Sequence, residues 1–213
     1  MTPSTRERIM TEALRLFGEQ GFAKTSVAQI EQAAGLSSGA GGLYRHFRSK
    51  DELLVEAVSA RLSERGAWEP LLAPNASIAA ALAPSGSTVD KLTALCRIGL
   101  ARMDHDRDVS RILMRDNSIP EGLLEVFRQQ EYATVMRVIT GVLTESAGST
   151  RREQDWEATA AVVAGAIAHY WLIRDIFDGA HPADVDPERY LRATAEMIAA
   201  RLDRADHEEQ DRG

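Results

Sequence analysis

The chain has 213 residues, 44% hydrophobic, 27% charged and 6% aromatic, enough to bury a good core as one large domain or two small ones. The net charge is −7, and the single cysteine, Cys96, excludes an internal disulfide and a cysteine metal cluster and fits a reducing cytoplasm. The polar start MTPSTRERIM lacks the pattern of a signal peptide, and the most apolar stretch, Ala158–Ile173, has 16 residues, short of the roughly 20 of a membrane span, so a buried helix and no membrane partner are expected.

In chain order, apolar spacing is helical throughout and no segment alternates convincingly as a strand. Over Thr5–Gln20, Ile9, Ala13, Leu16 and Phe17 share one face, and Gly21 is placed to end the helix. A second helix over Thr25–Ala34 carries Val27, Ile30 and Ala34, with a Ser26…Gln29 capping box at its start and Gly35-Leu36-Ser37 as its break. Leu43, Tyr44 and Phe47 imply a short third helix, and Ser49…Glu52 opens a fourth that runs to about Arg65. Pro70, Pro74 and Pro84 then punctuate an alanine-rich connection holding one helical turn near Ile78–Leu82. Ser87…Asp90, Ser118…Glu121, Thr150…Glu153 and Asp186-Pro187 mark further starts, predicting helices near 88–104, 107–115, 119–146, 152–177 and 187–205. The expected fold is all-α with about nine helices: a head over 1–50, a connecting helix over 50–65, and a larger helical body over 66–213.

Charge divides along the same line. Residues 1–50 hold seven Lys/Arg against four acids, net +3, which leaves −10 on the body and suits a polyanion at one end only. A helix, a short turn at Gly35 and a second short helix form the helix-turn-helix plan, whose second helix enters the major groove. Each glycine inside a helix costs roughly 1 kcal/mol against alanine. The run Ser37, Ser38, Gly39, Ala40, Gly41, Gly42 therefore needs a reason, and a bare edge that lets backbone approach a duplex supplies one. A merely flexible loop is the plain alternative. A phosphate-binding loop fails, because no strand precedes it and no Gly-Lys-Ser/Thr follows.

The segment Arg8–Val58 closely resembles the DNA-binding head of the tetracycline-repressor (TetR) family. The matching elements are Leu16-Phe17…Gly21-Phe22, Thr25-Ser26-Val27…Ile30, Ala34-Gly35-Leu36-Ser37, Leu43-Tyr44-Arg45-His46-Phe47 and Ser49-Lys50-Asp51-Glu52-Leu53-Leu54. Five residues separate Ser37 from Leu43, where the common family pattern has three. The resemblance implies a phosphate contact at Thr25 or Ser26 through amide and hydroxyl, another from the Tyr44 hydroxyl, a backbone contact from His46 and a phosphate clamp at Lys50. Arg45 would reach guanine or phosphate, or stand in solvent. Leu43, Phe47 and Phe22 are assigned to the head's own core.

For the body, the resemblance implies a dimeric four-helix bundle. Its smooth face would come from Ala160, Ala161, Ala164, Gly165 and Ala168, continued on the last helix by Leu191, Ala195, Ile198 and Leu202. It also implies a pocket for a small, largely apolar effector, with Met103, Phe127, Tyr170, Trp171 and Arg174 among the candidates; each has plain core as its alternative. An enzyme would have to use Asp104–Asp108, DHDRD, but no Glu-x-x-His pair exists and no catalytic triad is legible, so neither metal nor cofactor is expected. The expected function is a cytoplasmic, homodimeric, effector-released transcriptional repressor bound to double-stranded DNA, with an architectural DNA binder as the alternative.

Overall fold

The computed structural model describes residues 3–36, 42–64, 77–147 and 154–210, and among them all regular structure is helical. Helix α1 (Thr5–Gln20) starts where Ser4 and Glu7 cap each other: the Ser4 hydroxyl accepts the Glu7 amide at 3.2 Å, and the Glu7 carboxylate accepts the Ser4 amide at 2.6 Å. Ile9, Ala13 and Phe17 form its buried stripe, and Gly21, at φ 90°, ends it. Helix α2 (Val27–Ala33) has both limbs of the expected Ser26–Gln29 box. It closes at Gly35, φ 72°, where the Gly35 amide reaches Gln32 O at 3.1 Å and the Leu36 amide reaches Glu31 O at 2.8 Å. Residues 37–41 lie outside the described residues. Of the expected third helix, what is described is a single 3-10 turn, Leu43–Arg45.

Helix α3 (Lys50–Ser63) begins with half of its expected box. The Ser49 hydroxyl accepts the Glu52 amide at 3.0 Å, but the Glu52 carboxylate takes the Arg48 amide instead of Ser49's. Then follow α4 (Ile78–Leu82), α5 (Thr88–His105), α6 (Arg107–Arg115), α7 (Glu121–Phe127), a π turn (Arg128–Tyr132), α8 (Ala133–Ser146), α9 (Trp156–Ile176) and α10 (Pro187–Gln210). The single helix expected over 119–146 is helical from Glu121 to Ser146 and passes through a π turn at 128–132. Ser118 does not open it: its amide and hydroxyl both donate to Asp116, at 2.8 and 2.6 Å, and Pro120 precedes the first turn. Thr150…Glu153 falls outside the described residues; α9 is capped by Asp155, which accepts the Ala158 amide at 2.9 Å. Asp186 and Pro187 open α10 as expected, with Asp186 accepting the Arg189 amide at 3.0 Å.

The chain forms two compact units, Met1–Glu64 with Asp106–Tyr132, and Arg65–His105 with Ala133–Gly213. A division of the chain at residue 65 is therefore corrected: the stretch 106–132 belongs with the head. In the first unit, α6 lies on α1 and α7 on α3, and Val109, Ile112 and Leu123 share one core with Ile9, Phe17, Ile30, Leu43, Phe47, Leu53 and Leu54. Gly18 permits the α1–α6 crossing, since a Cβ there would lie 2.9 Å from the Asp108 Cα. In the second unit α5 is central and packs against α4, α8, α9 and α10 around Leu92, Leu95, Val142, Leu143, Ile167 and Leu191.

Candidate nucleic-acid interface

The turn between α1 and α2 is tight, so its backbone polar groups need partners from within the head. Thr25 supplies one: it is 1% exposed, and its hydroxyl donates to Gly21 O at 2.8 Å and Leu16 O at 3.3 Å. Its amide donates to Phe22 O at 3.3 Å. Both donors of Thr25 are thus engaged within the head in this structure. Ser26 is exposed, and its hydroxyl and amide make the α2 cap. Lys50 also turns inward. Its ammonium lies 4.1 Å from the centre of the Phe22 ring and donates to Phe22 O at 2.8 Å and Thr25 O at 3.1 Å, so it braces the turn.

Beyond α2 the chain is pinned by an acid the sequence reading missed. Glu31 is 2% exposed and accepts the Leu43 amide at 2.9 Å, fixing the entry to the 3-10 turn. The signal was present: Glu31 sits beside Ile30 and four residues after Val27, on the side of α2 that faces the core. A Cβ at Gly42 would lie 3.2 Å from the end of the Leu36 side chain. Ser37, Ser38, Gly39, Ala40 and Gly41 lie outside the described residues. Leu43 and Phe47 are buried on either side of three exposed residues, Tyr44, Arg45 and His46, with Tyr44 58% exposed. The turn therefore holds two apolar anchors in the core and presents an aromatic hydroxyl, a guanidinium and an imidazole to solvent. Arg48 is 94% exposed, whereas Arg6 covers the Phe47 ring and pairs with Glu56.

Comparison with known proteins agrees with this geometry. Residues 9–57 match the family described as bacterial regulatory proteins, tetR family. Over 52 residues the chain is 46% identical to the HTH-type transcriptional regulator AcrR of Shigella flexneri, a match that spans 24% of this chain and 23% of that protein. It is 31% identical over 183 residues, 82% of this chain and 83% of the other, to the probable HTH-type transcriptional regulator ArpR of Pseudomonas putida. The chain belongs to the TetR family. The fold is shared with the regulator FadR of Bacillus subtilis, solved in complex with stearoyl-CoA, at a TM-score of 0.64, 16% identity and coverage of 90% of this chain and 96% of that one. As a TetR-family member the chain is a transcriptional regulator and not an enzyme. Among the described residues no helix is long and apolar enough to cross a membrane.

The second unit of this TetR-family chain collects four of the five effector candidates. Tyr170, 1% exposed, stacks on Tyr190 at 4.2 Å and donates its hydroxyl to Val185 O at 2.7 Å. Burial, foremost, raises the Tyr170 phenol above its usual range, so it stays a donor. The Trp171 indole donates to Asp104 at 3.1 Å, and Arg174 donates to Gly179 O at 3.1 Å and lies 3.7 Å from the other Asp104 oxygen. Met103 is half-buried against the same core. Phe127 is corrected, since α7 carries it into the first unit, against Tyr132. Two acids of DHDRD make contacts within their own units: Asp104 accepts from the Trp171 indole, and Asp106 pairs with Arg61 at 2.9 Å.

The expected dimer face divides in two. On α9, Ala161 and Gly165 are exposed, Ala164 and Ala168 half-buried, and Ala160 fully buried in the core. On α10, Leu191, Ala195, Ile198 and Leu202 all pack inside this chain's own second unit, so the expected seam through Leu191 and Ile198 is corrected. Among the described residues, the large apolar side chains these helices leave in solvent include Val162, Ile176 and Met197.

Proposed function

We propose that this TetR-family regulator is a repressor that binds a near-palindromic operator as a homodimer and releases it when a small, largely apolar molecule occupies the second unit. The observation that carries the reading is the solvent-facing Tyr44-Arg45-His46 triplet on a turn pinned by Leu43, Phe47 and Glu31. Such a pinned triplet can meet a duplex with little loss of backbone freedom. Tyr44 and His46 are assigned to phosphates, and Arg45 to a base edge, a division in which phosphate contacts set register and base contacts set sequence. Residues 37–41 are assigned to the leading edge of the recognition element.

The exposed run of Ala161, Val162 and Gly165 with Met197 supports dimer contact through α9 and α10, in keeping with the sequence expectation for α9. A cytoplasmic setting follows from this role. Stearoyl-CoA on the FadR relative supports an effector with a long apolar part. Met103, Tyr170, Trp171 and Arg174 are the assigned effector-side residues. The effector must bind the conformation that does not hold DNA more tightly, because equal affinity for both moves no population. The test is a screen of apolar and acyl compounds against the protein on its operator. A compound that binds the second unit and lowers operator affinity at least tenfold is expected; one that binds there and leaves operator affinity unaltered contradicts the reading.

A further inference from the structure

The α1–α2 turn is held from outside the head's own sequence. Asp116, which follows α6 and stands 94 residues from Phe22, accepts the Phe22 amide through Oδ2. The same oxygen would lie 3.3 Å from a Cβ at Gly21, so the loop after α6 sits directly against this turn. Oδ1 accepts the Ser118 amide at 2.8 Å and the Ser118 hydroxyl at 2.6 Å, which fixes the carboxylate's orientation. On the other face of the same residue, Lys50 donates to the Phe22 carbonyl. The Phe22 backbone is therefore gripped at its N–H by Asp116 and at its C=O by Lys50. What this turn fixes is the start of α2, and α2 in turn carries Glu31, which holds the amide of Leu43 beside Tyr44, Arg45 and His46.

We propose that Asp116 is a positioning residue for DNA recognition: it sets the α1–α2 turn, and through α2 and Glu31 the placement of the Tyr44–His46 turn, without itself touching the duplex. The proposal rests on the reading of Tyr44–His46 as the DNA-facing turn. It separates Asp116 from a general stabiliser by what it acts on. A general stabiliser lowers the folded fraction and weakens all DNA alike. A positioning residue selectively weakens contacts that require register, which are the base contacts, and spares diffuse phosphate attraction.

The experiment uses the full chain and a duplex enriched from a random pool, alongside a scrambled duplex of equal length. Asp116→Ala, Asp116→Asn and Ser118→Ala are compared with wild type for affinity to both duplexes, and amide hydrogen exchange is followed at Phe22 and Leu43. Asp116→Ala is expected to lose about tenfold or more on the enriched duplex. The scrambled duplex should change less than about twofold, with faster exchange at Phe22 and Leu43. Asp116→Asn, which keeps an acceptor, is expected to recover part of the specific affinity, and Ser118→Ala most of it. A folded Asp116→Ala chain with wild-type specificity and unchanged exchange overturns the proposal, as does equal loss on both duplexes. Failure of the wild-type chain to enrich any duplex sinks the DNA-facing reading instead, and the exchange at Phe22 and Leu43 still decides whether Asp116 holds the turn.

Discussion

Thr25 and Lys50 have side chains of the kind that bind phosphate, yet both direct them into the head. The Thr25 hydroxyl serves two carbonyls of α1 and its C-terminal turn, so replacing it with valine removes a donor without opening a cavity. Thr25→Val is expected to destabilise by about 1–3 kcal/mol in urea unfolding, with Thr25→Ser close to wild type and base preference unchanged in both. At Asp116, burial raises the carboxyl, but the hydrogen bonds from Ser118 and Phe22 and the nearby Lys50 outweigh it and leave the group below its usual range. A depressed acid adds stability that is complete above the unfolded value and is lost as pH falls through the folded one. The stability gap between wild type and Asp116→Asn should therefore be flat from pH 5 to 8, on the order of three units, and shrink below about pH 4. A gap that widens on acidification would contradict the arrangement around Asp116.

At the scale of elements, two glycines in helices should respond oppositely to one substitution. Alanine in a helix interior gains about 0.5–1 kcal/mol over glycine where space allows. Gly165 has open space around it within its own chain, so Gly165→Ala should raise the stability of the isolated chain by about that much. Gly18→Ala must instead push Asp108, backbone included, and should destabilise by about 1–3 kcal/mol as α1 and α6 part. Thermal unfolding of the two variants checks both signs. Local signals made most elements legible in the sequence: the caps at Ser26, Ser87 and Asp186, the stripe of α1 and the span of α6 were all readable. The π turn over 128–132 was not, because no glycine or proline marks it. There the chain passes from the first unit to the second, a change of partners that no local pattern encodes. Asp116 was hidden for the same reason, since its partner is 94 residues away.

For the whole molecule, the sequence disclosed the all-α plan and the family through spaced motifs in the head, while the faces of the second unit needed coordinates. Leu191 and Ile198 have the spacing of a seam, and the hydrophobic pattern alone cannot tell a seam between chains from a core within one. Their burial moves the expected contact to Val162, 65% exposed, and Met197, 67% exposed. Val162→Glu with Met197→Glu should yield a folded single chain by sedimentation, with operator affinity reduced at least tenfold. The central claim is that two chains read one two-fold site. Its most direct measurement is to recover duplexes from a random pool with the full chain, sequence them and weigh the complex. The expected result is an inverted repeat with half-sites about 34 Å apart carrying two chains. An unenriched pool, or one chain on a lone half-site, would contradict it.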